Sequence, residues 1–69
     1  DLSSAILSET ILSGADLREA DLSRANLSGA DLGGADLRKA ILGEAIYNDQ
    51  TKWPDGFDPV AAGATRLQE

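Results

Sequence analysis

Residues 15–45 read ADLREADLSRANLSGADLGGADLRKAILGEA, and in this stretch a leucine returns every fifth residue with an alanine two places before it. Followed outward, the leucine series runs Leu2, Leu7, Leu12, Leu17, Leu22, Leu27, Leu32, Leu37 and Leu42, and Tyr47 takes the next place. The alanine series includes Ala5, Ala15, Ala20, Ala25, Ala30, Ala35, Ala40 and Ala45, with Thr10 its one interruption. The unit is A-(D/N)-L-x-x, an internal repeat, and a repeat of fixed period decides the architecture before any local propensity does. Five residues on an α-helix advance about 500°, so the leucines would spiral round the axis and line no face. In an extended segment Ala and the following Leu point to one side, and the residue between them points to the other. Because five is odd, the chain must bend once per repeat to keep every Ala/Leu pair on the same side.

The two x residues are the bend. Ser13-Gly14, Ser28-Gly29 and Gly33-Gly34 suit a type II turn, whose third position has positive φ. The pairs Arg18-Glu19, Ser23-Arg24, Arg38-Lys39 and Gly43-Glu44 are expected to use turns without positive φ.

These repeats resemble the pentapeptide-repeat proteins over residues 1 to about 49. The resemblance implies an all-β fold, a right-handed quadrilateral β-helix with four repeats per coil and the leucines and alanines stacked inside. Residue n then lies over residue n+20, giving the columns Leu2/Leu22/Leu42, Leu7/Leu27/Tyr47, Leu12/Leu32 and Leu17/Leu37, with Ala25 and Ala30 among the inward residues. At a coil spacing of about 4.8 Å, ten repeats make about two and a half coils.

After Tyr47 the period ends. Residues 50–69 hold both prolines, the only Trp and the only Phe, and are expected to form a C-terminal capping tail on the 1–49 repeat domain, with Trp53 and Phe57 covering the last coil. Trp53-Pro54-Asp55-Gly56 reads as a β-turn. Asp58-Pro59 reads as an N-cap and first helical residue of a very short helix over about residues 59–62, closed by Gly63. The tail also resembles the closing segment of cyanobacterial members of the family.

On the outward face, isoleucine stands at Ile6, Ile11, Ile41 and Ile46 where most repeats carry Asp or Asn. Docking of the tail against Ile41 and Ile46 accounts for one pair. Ile6 and Ile11, in the first coil, are candidates for a contact with a protein partner or a second copy. Outward aspartates at Asp1, Asp16, Asp21, Asp31 and Asp36 invite a metal-site reading, yet calcium requires six to eight converging oxygens. Carboxylates on a flat outer face do not converge, so they are expected to be solvated, with short contacts to Arg18, Arg24, Arg38 and Lys39 and ordinary pKa values, and no metal or other cofactor is expected.

The chain of 69 residues has 12 acidic and 6 basic side chains, a net charge of −6, which disfavours nucleic acid and anionic membranes as partners. It has no cysteine and no histidine, its serines sit in turns without a base, and a Leu/Ala-filled solenoid leaves no concave pocket for a small-molecule substrate. The expectation is therefore no catalytic activity, and a structural or protein-interaction module whose partner is a protein or the chain itself. No apolar run reaches the roughly 20 residues of a membrane span. A cytoplasmic location is favoured, with the thylakoid lumen or periplasm as alternatives after removal of a signal peptide. A sequence opening in mid-repeat at Asp1 fits the C-terminal part of a longer repeat protein. The resemblance brings two further readings. One is a DNA mimic that binds DNA gyrase, against which the short length and the basic residues Arg18, Arg24, Arg38 and Lys39 argue. The other is an appendage of an enzyme or signalling domain that lies outside this chain.

Overall fold

A computed structural model describes residues 2–67. Every leucine of the series from Leu2 to Leu42 ends a short extended step, and its carbonyl accepts from the N–H three residues on, an alanine except at Leu7, where Thr10 donates. Ala5 N–H to Leu2 O, Ala25 N–H to Leu22 O and Ala45 N–H to Leu42 O are all 3.0 Å. The third turn residue has positive φ in each of these repeats, whether it is glycine (Gly14, Gly29 and Gly34, φ 71–74°) or Ser4, Glu9, Glu19, Arg24, Lys39 and Glu44 (φ 61–63°). The expectation of turns without positive φ at Arg18-Glu19, Ser23-Arg24, Arg38-Lys39 and Gly43-Glu44 is thus corrected, and the ladder supplies the reason. At this position the N–H points to the next circuit: Glu9 N–H donates to Ser28 O and Arg24 N–H to Gly43 O, each at 2.9 Å. The side chain does not choose the turn. The hydrogen bonds across the ladder hold it against a left-handed penalty of about 1–2 kcal/mol per residue.

The chain pairs with itself one circuit of 20 residues later. Parallel bridges join Ile6 to Asn26, Ile11 to Asp31, Asp16 to Asp36, Asp21 to Ile41 and Asn26 to Ile46. Each bridge has the same two bonds: Asn26 N–H donates to Ala5 O and Leu7 N–H donates to Asn26 O, both at 2.9 Å. One bridge per side is all the five-residue step allows before the next bend, so continuous strands are nearly absent. Among the described residues only β1 (Ile46–Tyr47) and β2 (Thr65–Arg66) reach two residues, and they pair in parallel.

This register stacks the inward side chains. Leu22, Leu27, Leu32 and Leu42 are fully buried, and Ala25, Ala30 and Ala45 fill the space between them. Leu17, Leu37 and Tyr47 are buried at the margins, whereas Leu2, Leu7 and Leu12 are only partly buried because no coil lies beneath them. Each fully buried leucine contributes roughly 1.5–3 kcal/mol.

The tail joins the ladder at two points, with its register altered. Lys52 bridges Asp31, 21 residues below, and Thr65 pairs with Ile46, 19 below. The added residue is taken up by a turn in which Thr51 N–H donates to Asn48 O at 3.1 Å. Side chains there replace the missing backbone partner. Gly29 N–H donates to Asn48 Oδ1 at 2.9 Å and to Thr51 Oγ1 at 3.2 Å, while Thr51 Oγ1 donates to Leu27 O at 2.8 Å.

Two local expectations for the tail are corrected. The β-turn lies one residue later, with Phe57 N–H donating to Pro54 O at 3.1 Å and Gly56 taking φ of 81° at the third position. Residues 59–63 form a sequence of turns and no helix: Asp58 Oδ1 accepts from Val60 N–H and Ala61 N–H as an N-cap does, but Ala64 N–H closes back on Pro59 O at 3.0 Å and ends the segment.

Candidate interaction surfaces

Three surfaces follow from this lattice: the lower end, the charged outer face and the upper rim. At the lower end Ile6, Ile11 and Asp16 occupy the bridge position of their sides with nothing below them. Among the described residues their N–H and C=O groups make no hydrogen bond. Beside these edges lie the partly buried Leu2, Leu7 and Leu12, and Ile6 and Ile11 stand 81% and 77% exposed. The structure therefore brings both outward isoleucines to the same rim.

On the outer face, aspartates meet the arginines two residues on. Asp16 receives Arg18 Nε and Nη2, both at 2.8 Å, and Asp36 receives Arg38 Nη2 at 2.7 Å. Arg18 also reaches Asp36 in the circuit above, Nε to Oδ2 at 3.9 Å. Arg24 pairs with Glu44 at 3.2 Å and Arg66 pairs with Asp49. The expectation of ordinary carboxylate pKa values is corrected by these contacts. Hydrogen bonds from the Arg18 side chain and backbone lower the Asp16 pKa to about 2, Arg38 lowers that of Asp36, and the Ser23 hydroxyl and N–H lower that of Asp21. The carboxylates thus turn sideways toward their own arginines and serines, with no common point between them. Among the described residues no group of three or more His, Cys, Asp or Glu is placed to hold a metal ion.

The upper rim carries the tail. Trp53 stands edge-on to Tyr47, with ring centroids 5.4 Å apart at 86°, and stacks on Phe57 at 5.3 Å and 22°. Both Trp53 and Phe57 are partly buried against the core. Ala64 is buried in the core, and Gly63 approaches closely enough that a Cβ there would lie 3.4 Å from Gly43 Cα. Ile41 is 54% exposed, so the tail does not dock over it as expected, while Ile46 is half-buried where it pairs with Thr65. The path from Lys52 to Thr65 runs past the sides of Asp36 and Ile41 without bridging either. Sequence reading missed both this gap and the Asn48/Thr51 seal, because neither belongs to the five-residue pattern. The prolines Pro54 and Pro59, five residues apart and each without an N–H donor, were the available signal that the tail leaves the lattice.

A short-step parallel ladder with a stacked Leu/Ala interior defines a β-helical solenoid repeat protein. The family model for pentapeptide repeats matches residues 1–34 in eight copies. Residues 1–34 are thus pentapeptide repeats. It is also similar to alr5209, a pentapeptide repeat protein from Nostoc PCC 7120 known from a crystal structure, with 28% sequence identity over 96% of this chain and 75% of that chain and a TM-score of 0.49. No curated protein matches the chain significantly in sequence.

Proposed function

We propose that this chain is a non-enzymatic structural or protein-interaction module, the C-terminal part of a pentapeptide-repeat β-helix, and that its lower end is the contact surface. The helix is read as right-handed and four-sided, with about two and a half coils closed above by the tail. Right-handedness follows the strong preference of parallel β connections for that hand, and the fourfold shape follows from four turns in each 20-residue register.

The observation that carries the contact is the unpaired edge at Ile6, Ile11 and Asp16 beside the partly buried Leu2, Leu7 and Leu12. Such an end is covered by a further coil of the same kind. In a longer protein that coil precedes residue 1, and for this chain alone a second copy supplies it. Sedimentation velocity over a concentration series is expected to show a dimer that Leu12→Glu or Ile11→Lys converts to monomer. A stably folded monomer at high concentration refutes the contact.

No observation favours the gyrase-binding alternative, since the outer carboxylates are interleaved with Arg18, Arg24, Arg38 and Arg66. Support for a non-catalytic role comes from the chemistry of the surface, where the serines have no histidine as a base and the lowered carboxylates are poor proton donors and acceptors near neutral pH. The cytoplasm remains the favoured compartment in this proposal.

A further inference from the structure

Along residues 34–42 the upper edge of the ladder is unfilled. On completed sides a residue of the next circuit crosses the edge in a fixed way: Asp36 N–H donates to Ala15 O at 2.9 Å, and Leu17 N–H donates to Asp36 O at 2.8 Å. No tail residue does this for Asp36 or Ile41. Among the described residues the N–H groups of Gly34, Leu37, Lys39 and Leu42 and the carbonyls of Ala35 and Ala40 have no hydrogen-bond partner. A cavity of about 670 Å³ lies along this edge, lined by residues 34–40 on one side and by the 54–57 turn.

We propose that this groove binds an extended acidic peptide segment of a partner protein as one added parallel strand, with an aspartate of the peptide seated over Asp36. This deepens the interaction-module reading and rests on it, but it uses a different surface from the lower end. The backbone defines the register: the N–H of the seated residue donates to Ala35 O and its carbonyl accepts from Leu37 N–H, as in every bridge beneath it. Charge defines the side chain. Arg18 holds Asp16 at 2.8 Å and reaches up to Asp36 at 3.9 Å. Arg38 holds Asp36 in the same manner at 2.7 Å, but the residue 20 positions above Asp36 is Gly56, which offers no carboxylate. An incoming aspartate therefore meets Arg38 as Asp36 meets Arg18. Lys39 lines the same cavity and makes no ion pair among the described residues, so it adds a second cation. Asp55, on the facing turn, disfavours further acidic residues on that side of the peptide.

The test is titration of the ¹⁵N-labelled full chain with the blocked peptide acetyl-Ser-Val-Asp-Val-Ser-amide. The Leu37 and Lys39 amide resonances are expected to shift saturably and their exchange with solvent to slow. A peptide with lysine in place of aspartate, or N-methylated at the aspartate nitrogen, is expected to bind at least about tenfold more weakly. The same loss is expected for Arg38→Glu, and a smaller one for Lys39→Gln, which leaves the Asp36 ion pair in place. Absence of shifts at Leu37 and Lys39 up to roughly 1 mM peptide, or equal binding of the lysine peptide, overturns the proposal. Shifts confined to the amides of residues 6–12 overturn the groove while leaving the interaction-module reading standing.

Discussion

Replacing Gly34 and Gly43 by alanine, one at a time, separates the conformation of the turn from everything else. A Cβ at Gly43 meets nothing within 4 Å, and one at Gly34 meets only Gly14 N at 3.8 Å, an ordinary van der Waals distance. Neither substitution creates a clash or removes a contact. Both restrict the unfolded chain equally, a gain of about 0.4–1 kcal/mol for the folded state. The two sites differ in φ: Gly34 is the third turn residue at +73°, whereas Gly43 is the second and does not lie in the left-handed region. Alanine at Gly34 therefore carries the left-handed penalty of about 1–2 kcal/mol, and alanine at Gly43 does not. The unfolded-state contribution cancels in the comparison, leaving Gly43→Ala more stable than Gly34→Ala by about 1–2 kcal/mol. In a domain of this size that is a difference of roughly 4–16 °C in melting temperature, readable by thermal unfolding under circular dichroism. Equal melting temperatures refute the claim that the lattice, and not the side chain, sets the turn.

Thr51→Val removes the acceptor of Asn48 N–H and the donor to Leu27 O at the register shift, and is expected to cost about 1–3 kcal/mol in chemical denaturation, while Thr51→Ser keeps both and costs less. Asp16, with its pKa lowered to about 2, contributes stability that is present above the ordinary carboxylate range and lost as pH falls through about 2. Because the pair with Arg18 is exposed, the sensitive measurement is the carboxyl ¹³C titration, in which Arg18→Gln is expected to move the Asp16 midpoint upward.

The five-residue period made the stacking legible from the leucines alone, since only one bend per repeat keeps Leu22, Leu27, Leu32 and Leu42 together inside. The turn was less legible. Glycine signals positive φ at Gly14, Gly29 and Gly34, but Glu19, Arg24, Lys39 and Glu44 carry no such signal, because their conformation is imposed by bonds to residues a full circuit away. Aromatic residues just beyond the repeats made Trp53 and Phe57 recognisable as cover for the upper coil. The pairing of Lys52 with Asp31 and of Thr65 with Ile46 left no mark, for it is made by backbone groups that every residue possesses. The isoleucines show the same limit: each follows an alanine of the repeat, yet Ile41 is exposed and Ile46 is half-covered, according to where the tail happens to pass.

The length of the tail explains both its cap and its gap. From the bridge at Asp31 to the bridge at Ile46 the lattice walks three sides in a step of 15 residues, whereas above them the tail goes from Lys52 to Thr65 in a step of 13. Two residues short, it cannot follow the perimeter at five residues per side and still reach β1. It cuts inside, and the residues that five-residue steps from Lys52 would set over Asp36 and Ile41, Phe57 and Ala62, donate their N–H groups within the tail, to Pro54 O and to Asp58 O and Pro59 O. The inward route puts Trp53 and Phe57 against the core, where the Tyr47–Trp53–Phe57 ring contacts cover it, and leaves Ala35, Leu37, Ala40 and Leu42 without backbone partners. The aromatic cap and the open groove are thus two results of one shortcut, and a tail long enough to close the groove would carry its aromatic residues off the core.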